Sequence, residues 1–233
     1  MRSRIDLKSC TLRDCALFSG LDARLIGMLA DACTLVEQPE GRLLFARGDR
    51  ATGLIIVVTG LVRVGLSDID GNELTLALIG PGESVGEMAL IDGGPRSADA
   101  ATLEASRLLY LDARDFALMQ MQEPEISRHL LVLLAARLRA SNEALMDTVF
   151  LPLRARLCRK LLDLADVHAA PDPPGAVFRR SFTQGDLARM LGVSREAINR
   201  QITALRHDGL IRLSERRLEI PDLGRLRAMA DMV

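Results

Sequence analysis

From Pro124 to Pro152 the chain runs without a further proline or glycine, and Leu131, Leu134, Leu138, Ser141, Leu145 and Thr148 recur there at alternating spacings of three and four. Proline is tolerated at a helix start, where its missing N–H would be unbonded anyway. The alternating spacing puts all six side chains on one stripe. One long helix is therefore expected, with Leu131, Leu134, Leu138 and Leu145 as a coiled-coil seam against a twin, which makes the protein a homodimer. A helix buried on its own sheet would show a similar stripe over so few heptads, so that alternative stands beside it. Either way a long helix separates a part before it from a part after it, with boundaries expected at 1–123, 124–151 and 152–233.

The two flanking parts differ in texture and in charge. Residues 17–32 read as a short helix, but from Leu35 to Leu111 the runs become short and β-rich: Leu54–Thr59, Leu61–Leu66, Leu74–Ile79 and Leu108–Leu111. Glycines and prolines punctuate them, and Asp70-Gly71 is a tight-turn signal, so an antiparallel roll or barrel is expected. After Pro152 the chain turns Arg-rich and helical over Leu153–Val167. A proline-rich loop at residues 169–175 follows that cannot be helix. Residues 1–152 carry 15 Lys and Arg against 21 Asp and Glu, whereas residues 153–233 carry 15 against 10. The front is thus acidic and the back basic, which points to two domains with different partners, the second a polyanion.

The most informative stretch of the basic half is residues 183–205. Thr183 can cap a helix, with Asp186 three residues on in the capping-box manner. Leu187, Ala188, Met190 and Leu191 supply its apolar side, Gly192 a left-handed turn, and Ser194 a cap for a second helix. That helix turns Ala197, Ile198, Ile202 and Leu205 inward and leaves Arg195, Glu196, Asn199 and Arg200 outward. Arginine matches the O6 and N7 acceptors of guanine and glutamate accepts from the cytosine amino group, so this edge suits base reading in double-stranded DNA. A solvated helix face with a Glu196–Arg200 pair is the plain alternative. Residues 210–220, turning at Ser214-Glu215-Arg216, read as a β-wing whose arginines, Arg216 among them, suit phosphates.

Taken together, Gly80-Pro81-Gly82-Glu83-Ser84-Val85-Gly86-Glu87-Met88-Ala89-Leu90, Pro95-Arg96-Ser97-Ala98 and Gly192-Val193-Ser194-Arg195-Glu196-Ala197-Ile198-Asn199-Arg200 closely resemble the Crp–Fnr family of regulators. The resemblance spans residues 17–220. It implies an α+β chain: an N-terminal cyclic-nucleotide-binding β-roll, a long dimerisation helix and a C-terminal winged helix-turn-helix. It also implies a TGTGA-like palindromic site and RNA polymerase as a partner. Gly86, Glu87, Arg96, Ser97 and Ala98 match the family's phosphate–ribose cassette. A guanidinium pairs with a phosphodiester and a carboxylate accepts from a ribose 2′-OH. Ser141 and Asn142 fall where relatives meet the purine with a Thr-Ser pair, one residue coming from the partner chain. That departure leaves cyclic AMP and cyclic GMP both open as the allosteric effector. An internal Glu87–Arg96 pair in a roll that binds no ligand, or another effector, is the alternative within the family. A regulatory subunit of this fold is the alternative outside it, and such a subunit has no need of the helix at residues 194–200.

Other chemistries have less to stand on. Cys10, Cys15, Cys33 and Cys158 show no C-x-x-C pair and do not reproduce the cluster spacing of oxygen-sensing relatives, so free structural thiols are expected and no metal. The roll carries no Cys or His to ligate a haem. His129, His168 and His207 are scattered, and no Ser–His–Asp or paired-carboxylate set marks an enzyme. With no apolar run of membrane length and no signal core at the start, a cytoplasmic setting is expected.

Overall fold

The computed structural model describes residues 2–69, 72–214 and 217–231. The chain divides into two units, Met1–Leu138 and Arg139–Val233. Along the first run α1 (Arg2–Asp14), α2 (Ala23–Ala32), β1 (Thr34–Gln38), β2 (Leu43–Phe45), β3 (Gly53–Thr59), β4 (Val62–Ser67), β5 (Glu73–Ile79), β6 (Ser84–Val85), α3 (Met88–Asp92), β7 (Asp99–Thr102), β8 (Ser106–Asp112), α4 (Ala113–Gln122) and the opening turns of α5 (Pro124–Phe150). The strands form two antiparallel sheets, β1-β8-β3-β6 and β2-β7-β4-β5. The expected β-runs fall on β3, β4, β5 and β8.

The apolar run of β3 is explained by burial on both faces. Alternation sends Ile55 and Val57 into one core with Val62, Ile79, Val85, Ala100 and Leu108, drawn from both sheets. Leu54, Ile56 and Val58 join the opposite core, with Leu109 and Leu111 of β8 and residues of α1, α2, α4 and α5. A strand buried on both sides has no polar face to display, so its sequence reads as continuous Leu, Ile and Val.

The helix expected over residues 17–32 is shorter than the sequence suggested. It starts at Ala23, where the Asp22 carboxylate accepts the Leu25 N–H at 2.8 Å. Leu17 and Phe18 are fully buried in the turn before it, so their apolarity serves the core without helical periodicity. The sequence reading also missed α1. Its Lys8 ammonium donates to the carbonyls of Ala30 and Cys33, at 3.0 and 2.6 Å, where α2 ends. Those last carbonyls have no partner within the helix.

The second unit holds the rest of α5, then α6 (Leu153–His168), β9 (Ala169–Asp172), β10 (Gly175–Phe178), α7 (Gln184–Leu191), α8 (Arg195–His207), β11 (Arg212–Ser214), β12 (Arg217–Ile220) and α9 (Leu223–Ala230). Its sheet runs β11-β12-β10-β9. Leu157, Cys158, Phe178, Ile198, Leu205 and Leu226 are fully buried within it. The proline-rich stretch expected as a loop is a hairpin instead: β9 pairs antiparallel with β10, matching Pro171 to Ala176. An edge strand can hold proline because its outer side needs no ladder donor. Asp70-Gly71, Glu215 and Arg216 lie outside the described residues, while the strands around them pair as expected, β4 with β5 and β11 with β12. Among the described residues no helix is long and apolar enough to cross a membrane.

Candidate functional sites

In the roll, β6 ends at Val85 and the chain turns through Gly86 into α3. Gly86 has φ +94°, and a Cβ there would collide with the Arg96 guanidinium, so glycine is required twice over. Arg96 is only 4 % exposed and lies with its Cζ 4.2 Å from the centre of the Phe45 ring. Its Nη1 donates to the Gly86 carbonyl and its Nη2 to the Gly53 carbonyl, each at 2.6 Å, while Nε has no partner. Burial pulls this guanidinium below its ordinary pKa, against the opposing pull of Tyr110, Glu87 and Asp49. A cavity of about 320 Å³ adjoins it, lined also by Phe45, Asp49, Arg50, Thr52 and Tyr110.

Glu87, 1 % exposed, pairs with Arg137 of α5, which also donates to the Ser84 carbonyl at 2.6 Å. This corrects the internal Glu87–Arg96 pair that the sequence left open: the cation on Glu87 comes from the long helix. Sequence reasoning missed Arg137, and the available signal was an arginine beside the seam directly after an apolar run, Leu130–Ala136. The second Glu87 oxygen, Oε2, is buried without a partner. Ser97 is exposed, its hydroxyl 3.6 Å from the Met88 sulfur, and Ala98 is buried. The cassette residues Gly86, Glu87, Arg96, Ser97 and Ala98 are thus brought together between the start of α3 and β7.

On α5 the side chains that enter the first unit's core are Ile126 and Leu130. Leu131, Leu138 and Leu145 are exposed and Leu134 half-buried, so the seam is not the face that packs on the roll. Ser141 and Asn142 are exposed on the same helix, in the second unit.

The second unit builds the helix-turn-helix. The Thr183 hydroxyl accepts the Asp186 N–H at 3.1 Å, and the Asp186 carboxylate accepts the Thr183 N–H at 2.8 Å, closing the capping box. Gly192, at φ +64°, ends α7 in the left-handed region. Ser194 then caps α8 through the Ala197 N–H. Ile198, Ile202 and Leu205 are buried, and Arg195, Glu196, Asn199 and Arg200 are exposed together on the opposite side. The Glu196 carboxyl is held below its ordinary pKa, first by its own backbone N–H, then by the Ser194 hydroxyl, with Arg195 and Arg200 contributing by charge. The sequence reading passed over Gln184, whose side chain donates to Asn199 across the two helices at 3.1 Å.

Cys15, Cys33 and Cys158 are buried free thiols, pushed by burial up to about 11, 12 and 11, and Cys10 is exposed. Thiols so raised are protonated at neutral pH, neither nucleophiles nor ready ligands. No cluster of His, Cys, Asp and Glu able to hold a metal occurs among the described residues.

The family model for a cyclic nucleotide-binding domain matches residues 35–123, and that for a Crp-like helix-turn-helix domain matches residues 155–229. The chain is 32% identical to the CRP-like cAMP-activated global transcriptional regulator of Mycobacterium tuberculosis, over 92% of its own length and 96% of the relative's. It is 33% identical to the cyclic AMP receptor protein of Thermus thermophilus, with the same coverages. The c-di-GMP responsive global regulator CLP of Xanthomonas campestris superposes with a TM-score of 0.75 at 28% identity, covering 85% of this chain and 99% of that one.

Proposed function

This chain belongs to the Crp–Fnr family of DNA-binding transcription regulators with a cyclic nucleotide-binding domain, and we propose that it works as a cytoplasmic dimer whose grip on DNA is gated by a 3′,5′-cyclic purine nucleotide. The observation that carries the effector is a pair of orphaned atoms of opposite character: the Arg96 Nε donor and the Glu87 Oε2 acceptor, both buried without partners. A buried polar atom left unmade costs about 1–3 kcal/mol, more when it is charged. A cyclic nucleotide offers each what it lacks, phosphate oxygens for Arg96 and Ser97 and a ribose 2′-OH for Glu87. The ligand-independent alternative leaves both costs uncompensated. Ser141 and the partner's Asn142 would meet the purine. Cyclic AMP is the first candidate, because the relatives from M. tuberculosis and T. thermophilus are named for it.

Leu131, Leu134, Leu138 and Leu145 would close the dimer along α5. Two α8 helices related by a two-fold axis then reach half-sites about one DNA turn apart, roughly 34 Å, which demands an inverted repeat. Arg195 and Arg200 suit guanines and Glu196 a cytosine amino group, as a TGTGA-like half-site offers. Thr183, Ser194 and Arg216 would hold phosphates, and RNA polymerase is the further partner of a regulator so placed. The role is regulation rather than catalysis. A switch from mostly off to mostly on requires the nucleotide to favour the competent state about 10⁴-fold, roughly 5.5 kcal/mol.

Calorimetric titration with cyclic AMP, cyclic GMP and cyclic di-GMP, paired with gel shifts on the palindrome, tests this. One cyclic mononucleotide should bind and tighten the shifted complex. Equal affinity with and without saturating nucleotide overturns the gating, and equal affinity for scrambled DNA overturns the base reading.

A further inference from the structure

Gln184 is the first residue of α7 and is half-buried, while Asn199 stands on the exposed face of α8 with Arg195, Glu196 and Arg200. The Gln184 Nε2 donates to the Asn199 Oδ1 at 3.1 Å, so the two helices are tied at the edge that would face DNA. A side-chain amide is planar, with an acceptor oxygen on one arm and a two-proton donor nitrogen on the other. Drawing the oxygen of Asn199 toward Gln184 swings its amino group to the other side of the amide, within the same plane. On an exposed helix face that side is the one left for a partner.

We propose that Gln184 sets which bases Asn199 reads: by holding the amide oxygen, it presents Nδ2 to the major groove and makes Asn199 a selector for acceptor-bearing base edges. This rests on the reading of α8 as the DNA-reading helix. An unrestrained asparagine prefers adenine, because it engages the N6 donor and the N7 acceptor with both arms at once. The bond from Gln184 takes one of that oxygen's two lone pairs and fixes its direction, so Asn199 is no longer free to turn both arms together onto adenine. Guanine offers two acceptors, N7 and O6, whereas cytosine offers only its amino donor. The tethered Asn199 therefore favours guanine and rejects cytosine at the base beneath it. Gln184 acts through Asn199 and is a positioning residue.

The experiment uses the full-length protein with a labelled palindrome in which each half-site position is varied through all four bases. Affinities come from competition anisotropy with and without saturating cyclic AMP. At one position Asn199→Ala should level the wild-type preference for guanine over cytosine. At that same position Gln184→Ala should raise adenine relative to guanine by roughly fivefold, the low end of what one bidentate pair discriminates. Gln184→Glu gives the sharper test. A carboxylate only accepts, so it draws Nδ2 inward, turns Oδ1 to the groove and shifts preference toward cytosine and adenine. The outcome that overturns the proposal is a four-base profile in both Gln184 variants identical to wild type, or a uniform loss at every sequence with no change of rank. Arg195→Ala separates the two levels. If it also alters no base preference, the reading of α8 has failed; if it reshapes the profile while the Gln184 variants do not, only the role of Gln184 has.

Discussion

The roll and the helix-turn-helix spend the same side-chain types in opposite settings. Arg96 and Glu87 are 4 % and 1 % exposed, and each is held by fixed partners, two backbone carbonyls for one and Arg137 for the other. Arg195, Glu196 and Arg200 stand in solvent. A charge taken from water must be compensated within the fold or by a ligand, so the proposed effector site is coupled to the stability of its unit. A charge left in solvent costs the fold nothing, so the proposed DNA edge can change without being felt in the core.

The largest effect should come from Arg137→Ala, which leaves Glu87 buried without its cation. Breaking a buried pair costs about 3–5 kcal/mol. Arg137 is itself about one-third exposed, so the lower end is expected, read as a lowered urea midpoint. The double variant Glu87→Gln with Arg137→Met should recover most of that loss while abolishing nucleotide binding in calorimetry. By contrast Arg195→Ala should change the unfolding free energy by no more than about 0.5 kcal/mol. If the two single variants destabilise alike, the contrast between the sites is broken.

Next in size is the seam. Leu138→Glu places a carboxylate on the exposed stripe of α5, where dimerisation would strip its hydration without supplying a partner. Sedimentation should then find monomers at concentrations where the wild type is dimeric, with each unit folded as before. A wild-type monomer under the same conditions sinks the dimer itself. Smaller again is base discrimination: Arg195→Ala or Arg200→Ala should relax preference at one half-site position by ~1–3 kcal/mol. Replacing a wing arginine, Arg216→Ala, should instead weaken all sequences alike and lower the salt dependence.

How legible each region was follows from how local its rules are. The capping box, Gly192 and the Ser194 cap are dictated by residues within a few positions of one another, and the structure has them as the sequence implies. The β-runs were legible for the same reason. What failed depended on tertiary context. Leu17 and Phe18 look helical because they are apolar, yet a buried turn needs apolar residues as much as a helix does. The prolines of residues 169–175 forbid helix but permit an edge strand, and only the pairing of β9 with β10 decides between strand and loop. In the sites, the Glu87–Arg137 pair joins residues 50 apart and the Gln184–Asn199 bond residues 15 apart on different helices. No periodicity reports such meetings. A resemblance carried the cassette positions but neither of these contacts.

The smallest expected effect lies in the cap that sets α7, and it sharpens the contrast by being a partly buried charge inside the DNA-reading unit. Burial pushes the Asp186 carboxyl upward, but bonds from the Thr183 N–H and hydroxyl and the Arg189 guanidinium outweigh it, so its pKa lies below the ordinary value. A carboxyl whose folded pKa is depressed stabilises the fold fully above its unfolded value of about 3.9. That stabilisation is lost as the pH falls from there through the lower folded pKa. Asp186→Asn keeps an acceptor for Thr183 but has no charge to titrate. The difference in unfolding free energy between wild type and Asp186→Asn should therefore be constant near neutrality and shrink on acidification across that window. Thr183→Ala, which removes the reciprocal bond, should cost about 1 kcal/mol at neutral pH. Neither substitution should alter nucleotide binding, because the proposed contacts to the nucleotide, Glu87, Arg96, Ser97, Ser141 and Asn142, do not include the α7 cap. A difference between wild type and Asp186→Asn that instead grows toward acid would mean that Asp186 is held protonated by its burial, and the cap would then belong with the roll's buried charges rather than with the exposed edge of α8.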